Sequence, residues 1–231
     1  MRAVVHPQNR SREGGATVAR VLYDVSMSLD GYVAGRHQSL REPLGVGGRR
    51  LHEWMLALAA TRQRAELEGG ETTARGALFE EEAGTEGAIV MGRNMFGGGR
   101  GPWGPEPWKG WWGEEPPFHL PVFVLTHFPR PPLRLRGTTF IFVTDGPESA
   151  LEQARRAAQG RDVAIAGGGC VAAQYLRAGL VDRIQIHLVP VFLGGGVRLF
   201  DLTGPIPHIL YPVRVVEAPG VTHITYQVIP H

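Results

Sequence analysis

Three consecutive glycines, Gly167-Gly168-Gly169, lie between the apolar run Val163–Ala166 and the alanine-rich stretch Cys170–Leu176. A strand that enters such a turn and leaves it as a helix presents backbone N–H groups with no side chain in the way. The helix adds its own unpaired N–H donors and the positive end of its dipole. That arrangement seats a phosphate, so the segment predicts a phosphorylated ligand, with a nucleotide cofactor as first candidate. Glycines at a strand–helix junction also serve turn geometry alone, and that reading stands beside the first. Cys170 is the chain's only cysteine, which excludes an intrachain disulfide. A helix N-terminus makes a thiol more acidic, but no base is patterned near Cys170, and it reads as a small residue in a tight turn.

A second chemical feature is the segment Gly97–Pro117, which holds seven glycines, five prolines and four of the five tryptophans. Glycine and proline break regular structure, while Trp103, Trp108, Trp111 and Trp112 can cover apolar surface or a flat ligand. The segment reads as a long loop packed as a lid. Composition excludes several classes. The 24 Lys and Arg residues nearly match the 22 Asp and Glu residues, for a net charge of +2, so nothing marks a nucleic-acid or anionic-membrane partner. No apolar run is long enough for a secretory signal or a membrane span, and a cytoplasmic setting is expected.

The elements that must position these residues follow from periodicity and turn signals. Strands are expected at Val18–Met27, Tyr32–Ala34, Ala88–Met91, Pro121–Thr126, Thr139–Val143, Val163–Ala166 and Arg183–Val189. Tyr211–Glu217 and His223–Ile229 read as a hairpin across Pro219-Gly220. Helices are expected at Leu51–Ala65, Thr73–Ala83, Glu148–Gln159 and Cys170–Ala178, and Arg130–Pro132 as a stiff turn. Strands alternating with helices predict a three-layer α/β fold. Its sheet is mixed and mostly parallel, with a C-terminal antiparallel hairpin and helices on both faces. Met1–Thr17 reads as a flexible arm before a single domain over 18–231. Neither an early GxGxxG nor a Walker A pattern is present.

Ser28-Leu29-Asp30-Gly31, Met91-Gly92-Arg93, Gly167-Gly168-Gly169, Leu180-Val181-Asp182 and Leu193-Gly194-Gly195-Gly196 with Leu199-Phe200 occur in an informative order and spacing. The set resembles the bacterial dihydrofolate reductase family. It is most similar to the branch containing the C-terminal reductase domain of bifunctional riboflavin biosynthesis enzymes. The resemblance covers roughly Val18–Val228. It implies a dihydrofolate reductase-like fold, NADPH as cofactor, and hydride transfer to a pterin-like, ribityl-pyrimidine-like or carbonyl substrate. By position it implies Gly92, Arg93 and Asn94 against the cofactor phosphates. It places Thr126 and His127 at the adenosine 2′-phosphate, with Arg130 as a further cation. Gly167, Gly168, Gly169 and Cys170 would lie under the pyrophosphate. Asp30 would flank the nicotinamide as a further catalytic candidate, and Ser28 would hydrogen-bond its amide or the substrate. Glu53, on the first helix, is the candidate acid, and Trp54 and Trp111 would contact substrate. The zinc-deaminase patterns of the bifunctional enzymes, HxE and PCxxC, are missing. Relatives in this branch form homodimers through the C-terminal part of the sheet. The alternation in Ile184–Leu188 and Thr222–Val228 is compatible with that. The alternative function is a non-catalytic nucleotide-binding or scaffold protein of the same fold.

Overall fold

The computed structural model describes residues 4–5, 19–57, 85–99, 101–104, 108–201 and 209–229. Its strands are β1 (Val4–Val5), β2 (Val21–Ser28), β3 (Tyr32–Ala34), β4 (Glu86–Gly92), β5 (Pro121–Leu125) and β6 (Leu133–Leu135). β7 (Thr138–Val143), β8 (Asp162–Ala166), β9 (Arg183–Val189), β10 (Val197–Arg198), β11 (Ile209–Ala218) and β12 (Val221–Ile229) follow. Ten of them form one sheet in the order β1-β11-β12-β9-β2-β8-β4-β5-β7-β6. The central run from β9 to β7 is parallel. The C-terminal hairpin pairs antiparallel onto β9, and β6 onto β7. This is the mixed, mostly parallel, three-layer α/β architecture. The stiff turn at Arg130–Pro132 leads directly into the short strand β6, which the sequence pattern did not reveal.

The helix Pro147–Ala158 begins with proline at its first turn, where no N–H is needed. Glu148 sits near its positive end and Arg155 and Arg156 near its negative end. Its buried residues Ala150, Leu151, Ala154 and Ala158 form one stripe. The helix Gly169–Arg177 buries Val171, Ala172, Tyr175 and Leu176. Both helices pack on the same sheet face, against Val90, Phe123, Val163 and Ile165. Helices on both faces were expected; among the described residues the opposite face carries short helical pieces, Arg93–Phe96 and the stretch from Gly48 to residue 57, with apolar loop side chains as the rest of its cover. There, Phe96, Trp103, Trp108 and Trp112 lie over Ile89, Met91, Val122, Val124 and Phe140. At the other end of that face, Leu51 and Trp54 lie over Val189 and Val221. The expected helix Leu51–Ala65 starts as a 3-10 turn, Gly48–His52, and continues helically through 57. Residues 58–65 and the expected helix Thr73–Ala83 lie outside the described residues, as does most of the N-terminal arm. Within that arm, β1 pairs with β11, Val4 opposite Val215.

The two apolar covers leave a channel between them, floored by β8 and β2. Parallel pairing sets Leu22 opposite Ala164 and Tyr23 opposite Ile165. Alternation along each strand then puts Leu22, Asp24 and Ser26 on the same face as Ala164 and Ala166. The two alanines keep the floor low.

Candidate active site

The cleft over this floor is lined by Gly92, Arg93, Asn94, Thr126, His127 and the whole segment Gly167–Cys170. β8 ends at Ala166, and Gly167 turns the chain with φ +114, a conformation that side chains disfavour. Gly168 is the N-cap of the helix, with φ −76 and ψ 174, and no side chain caps that end. A Cβ on Gly168 would meet nothing within 4 Å. Backbone conformation and packing therefore give no reason for glycine at 168. The space beside it opens to the cleft. Gly92 differs, because a Cβ there would lie 2.6 Å from Val171 Cγ2, so close strand–helix packing explains it.

Two cations stand at the other end of this site. Arg93 lies face-on to Trp103, with Cζ 3.2 Å from the ring centroid. Its Nη1 donates to Thr126 Oγ1 at 3.2 Å, and its Nε to the Gly97 carbonyl at 3.3 Å. The Thr126 hydroxyl also accepts from the Phe128 N–H, so it fixes both the turn and the arginine. Arg130 donates from Nη1 to the Trp108 carbonyl at 2.7 Å and lies 4.9 Å from the Trp103 ring centroid. Desolvation lowers the pKa of both guanidinium groups, and the charge of Arg130 lowers Arg93 further. Among the described residues neither is ion-paired with a carboxylate. Two desolvated like charges held by aromatic faces and carbonyls suit a multivalent anion. His127, exposed beside Thr126, lines the same end. Arg130 itself is outside the lining and stands behind Trp103.

The described residues of the segment 97–117 belong to the apolar cover described above. Gly97, with φ +86, sits so close to Trp111 that a Cβ would lie 2.7 Å from the indole. Trp108 donates from Nε1 to the Phe96 carbonyl at 2.8 Å, and Trp103 to that of Phe128 at 2.9 Å. Trp111, packed edge-on against Trp108, lines the cleft.

The residues expected near the substrate divide. Trp54 lines the cleft and donates from Nε1 to the Leu51 carbonyl at 3.0 Å and Ser26 Oγ at 3.3 Å. Ser28 is fully buried; its hydroxyl donates to Asp30 Oδ1 at 2.6 Å and accepts the Tyr32 N–H at 2.9 Å. Asp30 also accepts the N–H groups of Leu193 at 3.1 Å and Gly194 at 2.8 Å. It thus bolts the β2–β3 turn to the glycine loop after β9. Glu53 is exposed on the helical turn. Ser28, Asp30 and Glu53 are not among the residues that line the cleft.

In their place the structure brings forward a group that the sequence reading did not single out. Asp24 lies on the cleft floor, its side chain 53% exposed, and its Oδ1 is 2.7 Å from His187 Nε2. His187 Nδ1 faces His223 Nδ1 at 2.7 Å inside the protein. His52 and Trp54 close over the pair; the Trp54 ring is 4.7 Å from His187 and 5.1 Å from His223. Burial, then the charge of His187, holds His223 down to about 4, and the same two causes lower His52. The signal was present but faint. Alternation in Arg183–Val189 and Val221–Ile229 puts His187 and His223 on one face, and only the register His223 opposite His187 joins them. No group of His, Cys, Asp or Glu among the described residues is arranged to hold a metal ion.

Solved structures of like fold fit this description. A Shewanella sp. PV-4 protein assigned to riboflavin biosynthesis superposes with a TM-score of 0.57 at 21% identity, over 91% of this chain and 99% of its own. RibD of Acinetobacter baumannii gives 0.53 at 16% identity over 92% of this chain, which spans 58% of that longer protein. A pyrimidine reductase-like protein of Corynebacterium diphtheriae gives 0.52 at 14% identity, over 92% of this chain and 93% of its own. Among curated protein sequences none matches. The model of the RibD C-terminal domain family matches residues 19–217, which hold all the described cleft-lining residues but Thr225, and the chain belongs to that family.

Proposed function

We propose that this chain is an NADPH-dependent reductase that delivers hydride to a carbon–nitrogen or carbon–oxygen double bond of a small heterocycle, of the ribityl-aminopyrimidine or pterin class. The observation that carries the reading is Gly168. It has ordinary backbone angles and open space where a side chain would go, at the uncapped start of a nine-residue helix that faces the cleft. A dinucleotide pyrophosphate fits there: its oxygens can accept the backbone N–H groups, and no side chain obstructs them. Arg93 and His127 line the cleft where the additional 2′-phosphate that separates NADPH from NADH would sit, and Arg130 adds positive charge from outside the lining. Bound there, NADPH supplies a hydride from its dihydronicotinamide ring. The chain's own contribution is to stack the rings in register, exclude water under the tryptophan cover, and deliver a proton. The channel floor of Leu22, Ala164 and Ala166, walled by Trp54 and Trp111, is a flat apolar berth for the heterocycle.

The test has two steps. Titration of nicotinamide fluorescence should show tighter binding of NADPH than of NADH. NADPH oxidation followed by absorbance should then select a ribityl-aminopyrimidine or dihydropterin from a panel that includes flavins, quinones and aromatic carbonyls. Equal affinity for both cofactors would remove the 2′-phosphate assignment. The position of Ser28, Asp30 and Glu53 outside the cleft lining favours one second reading, a nucleotide-binding protein of the same fold without turnover. Tight NADPH binding with no oxidation across the whole panel would select it. The apolar outer face of the C-terminal hairpin supports a homodimer, and a cytoplasmic setting accords with a pool of NADPH and free heterocycle.

A further inference from the structure

A reductase of a C=N or C=O bond needs a proton as well as a hydride, and the cleft must hold its source. Among the described residues that line the cleft, the carboxylates are Asp24 and Glu86. Glu86 begins β4 and Gly92 ends it, so Glu86 is roughly 20 Å along the strand from the phosphate end. Asp24 is placed differently. Tyr23 pairs with Ile165, so Asp24 falls beside Ala166, the last residue before the glycine turn. It is therefore the carboxylate next to the point where the cofactor enters the substrate berth.

Behind Asp24 stands a chain of nitrogen atoms. Two imidazole nitrogens facing each other at 2.7 Å must share one proton, because two lone pairs or two N–H groups at that distance repel. His187 turns its other nitrogen, Nε2, to Asp24 Oδ1 at 2.7 Å, which requires a proton there too when Asp24 is ionised. His187 is 3% exposed and His223 9%. A buried polar pair of this kind is retained at a cost in desolvation unless fully satisfied, and here both nitrogens of His187 are satisfied. When His187 is charged it donates at both ends, to the Asp24 carboxylate and to a neutral His223. Through Nε2 it can pass a proton to Asp24.

We propose that Asp24, His187 and His223 form a proton-delivery relay for the reduction, with Asp24 as the catalytic acid and the two histidines as positioning residues that load it. The proposal rests on the reductase reading of the cleft. In the step, hydride adds to the carbon of the substrate C=N bond and the π pair moves to nitrogen. The nitrogen takes one proton from the Asp24–His187 pair, and the cofactor leaves oxidised. Spent, the pair consists of the Asp24 carboxylate and neutral His187, whose remaining proton stays on Nε2 toward the carboxylate while its Nδ1 accepts the N–H of the His223 Nδ1 tautomer. Solvent returns one proton through the exposed Asp24 carboxylate. Among the described residues, the ionisable groups that act on the relay are His52 on the 3-10 turn, Arg214 on β11 and Asp24 on β2. Arg214 disfavours a further charge on His223, and Asp24 favours it.

The relay has a signature that needs no substrate. In protein labelled with ¹⁵N-histidine, His187 and His223 should titrate as one coupled pair, and Asp24→Asn should shift both. Independent titration curves that Asp24→Asn leaves in place would overturn the proposal. The second measurement is kcat/KM against pH with a ribityl-aminopyrimidine and saturating NADPH. Wild type should lose rate as pH rises through the loading of the relay. Asp24→Asn should lose about a hundredfold or more, in the range of general acid catalysis, and His187→Gln should displace the profile. Both variants should bind NADPH as wild type does. Asp24→Asn turning over at the wild-type rate with an unmoved profile would sink the relay and leave the reductase reading intact. Wild type that fails to bind NADPH would sink the reductase reading and the relay's catalytic role with it.

Discussion

Asp24 and Asp30 lie six positions apart on one strand and its turn, and their surroundings give them opposite uses. Desolvation works to raise the Asp30 carboxyl, but hydrogen bonds from Ser28 and from the N–H groups of Gly194 and Leu193 together hold it below its ordinary value. A carboxylate so engaged is an anchor. Asp24 makes one strong contact, to His187, and otherwise meets solvent. Gly168 permits a sharp prediction at the same scale. Gly168→Val should fold normally, because the backbone angles are ordinary and the space is open. Its NADPH affinity should fall about tenfold or more, equal to about 1.4 kcal/mol, by fluorescence titration. Unchanged affinity in the folded variant would return that glycine to turn geometry. His223 supplies a second prediction. Its folded-state pKa of about 4 lies below the ordinary histidine value, so the unfolded chain binds the proton more readily. Its contribution is complete above about pH 6.5 and is lost as pH falls toward the folded value. Urea unfolding across this window should show falling stability, and His223→Gln should flatten that slope. A slope unchanged in the variant would assign the acid sensitivity elsewhere.

Among the elements, the tryptophan loop depends on Phe96. This side chain is fully buried and meets Trp103, Phe140 and Phe142 edge-on at 5.9, 5.0 and 5.3 Å. Phe96→Ala should destabilise the protein by about 3–5 kcal/mol, read as a lower urea midpoint. It should also weaken NADPH binding, because Trp103 backs both Arg93 and Arg130. Loss of stability with unaltered cofactor affinity would show that the arginines keep their places without the cover. The loop was legible as a lid from its glycines, prolines and tryptophans. So were the parallel strands, whose apolar runs are bounded by turn residues, and the glycine turn between Ala166 and Cys170. The histidine pair was not. His187 and His223 are 36 residues apart and meet only through the antiparallel register of β9 and β12, and Asp24 joins them from a third strand. Pairing register is set by packing across the whole sheet, and no local spacing carries it. Strand β6 was hidden for a related reason, since the alternation Leu133-Arg134-Leu135 after a proline pair is too short to mark a strand without its pairing to β7.

At the scale of the molecule, the sheet is unevenly covered. The helices Pro147–Ala158 and Gly169–Arg177 pack over β4, β5 and β8. The C-terminal hairpin extends beyond them. On the helix-side face it carries Leu210, Val215, Ile224, Tyr226 and Val228, each only partly buried. Register sets Val215 opposite Ile224 and Leu210 opposite Val228, so these side chains form one continuous apolar band. At the hairpin's open end Ile209 is 62% exposed and Tyr211 41%. An apolar band of this extent on a sheet face is a candidate for subunit contact. A twofold mate would meet it with the same band, as an isologous interface requires. A stable interface of this kind buries about 800 Å² on each partner, which two ten-residue strands and their neighbours can supply. The chain is therefore expected to run as a dimer at micromolar concentration in light scattering coupled to size exclusion. Ile224→Lys places a charge at the centre of the band while leaving the cleft untouched, since Ile224 lies on the face opposite to His223. That variant should run as a monomer and still bind NADPH. A wild-type chain that is monomeric under these conditions would sink the dimer. A dimeric Ile224→Lys would move the interface away from the hairpin, toward the surface where Phe192 is 73% exposed.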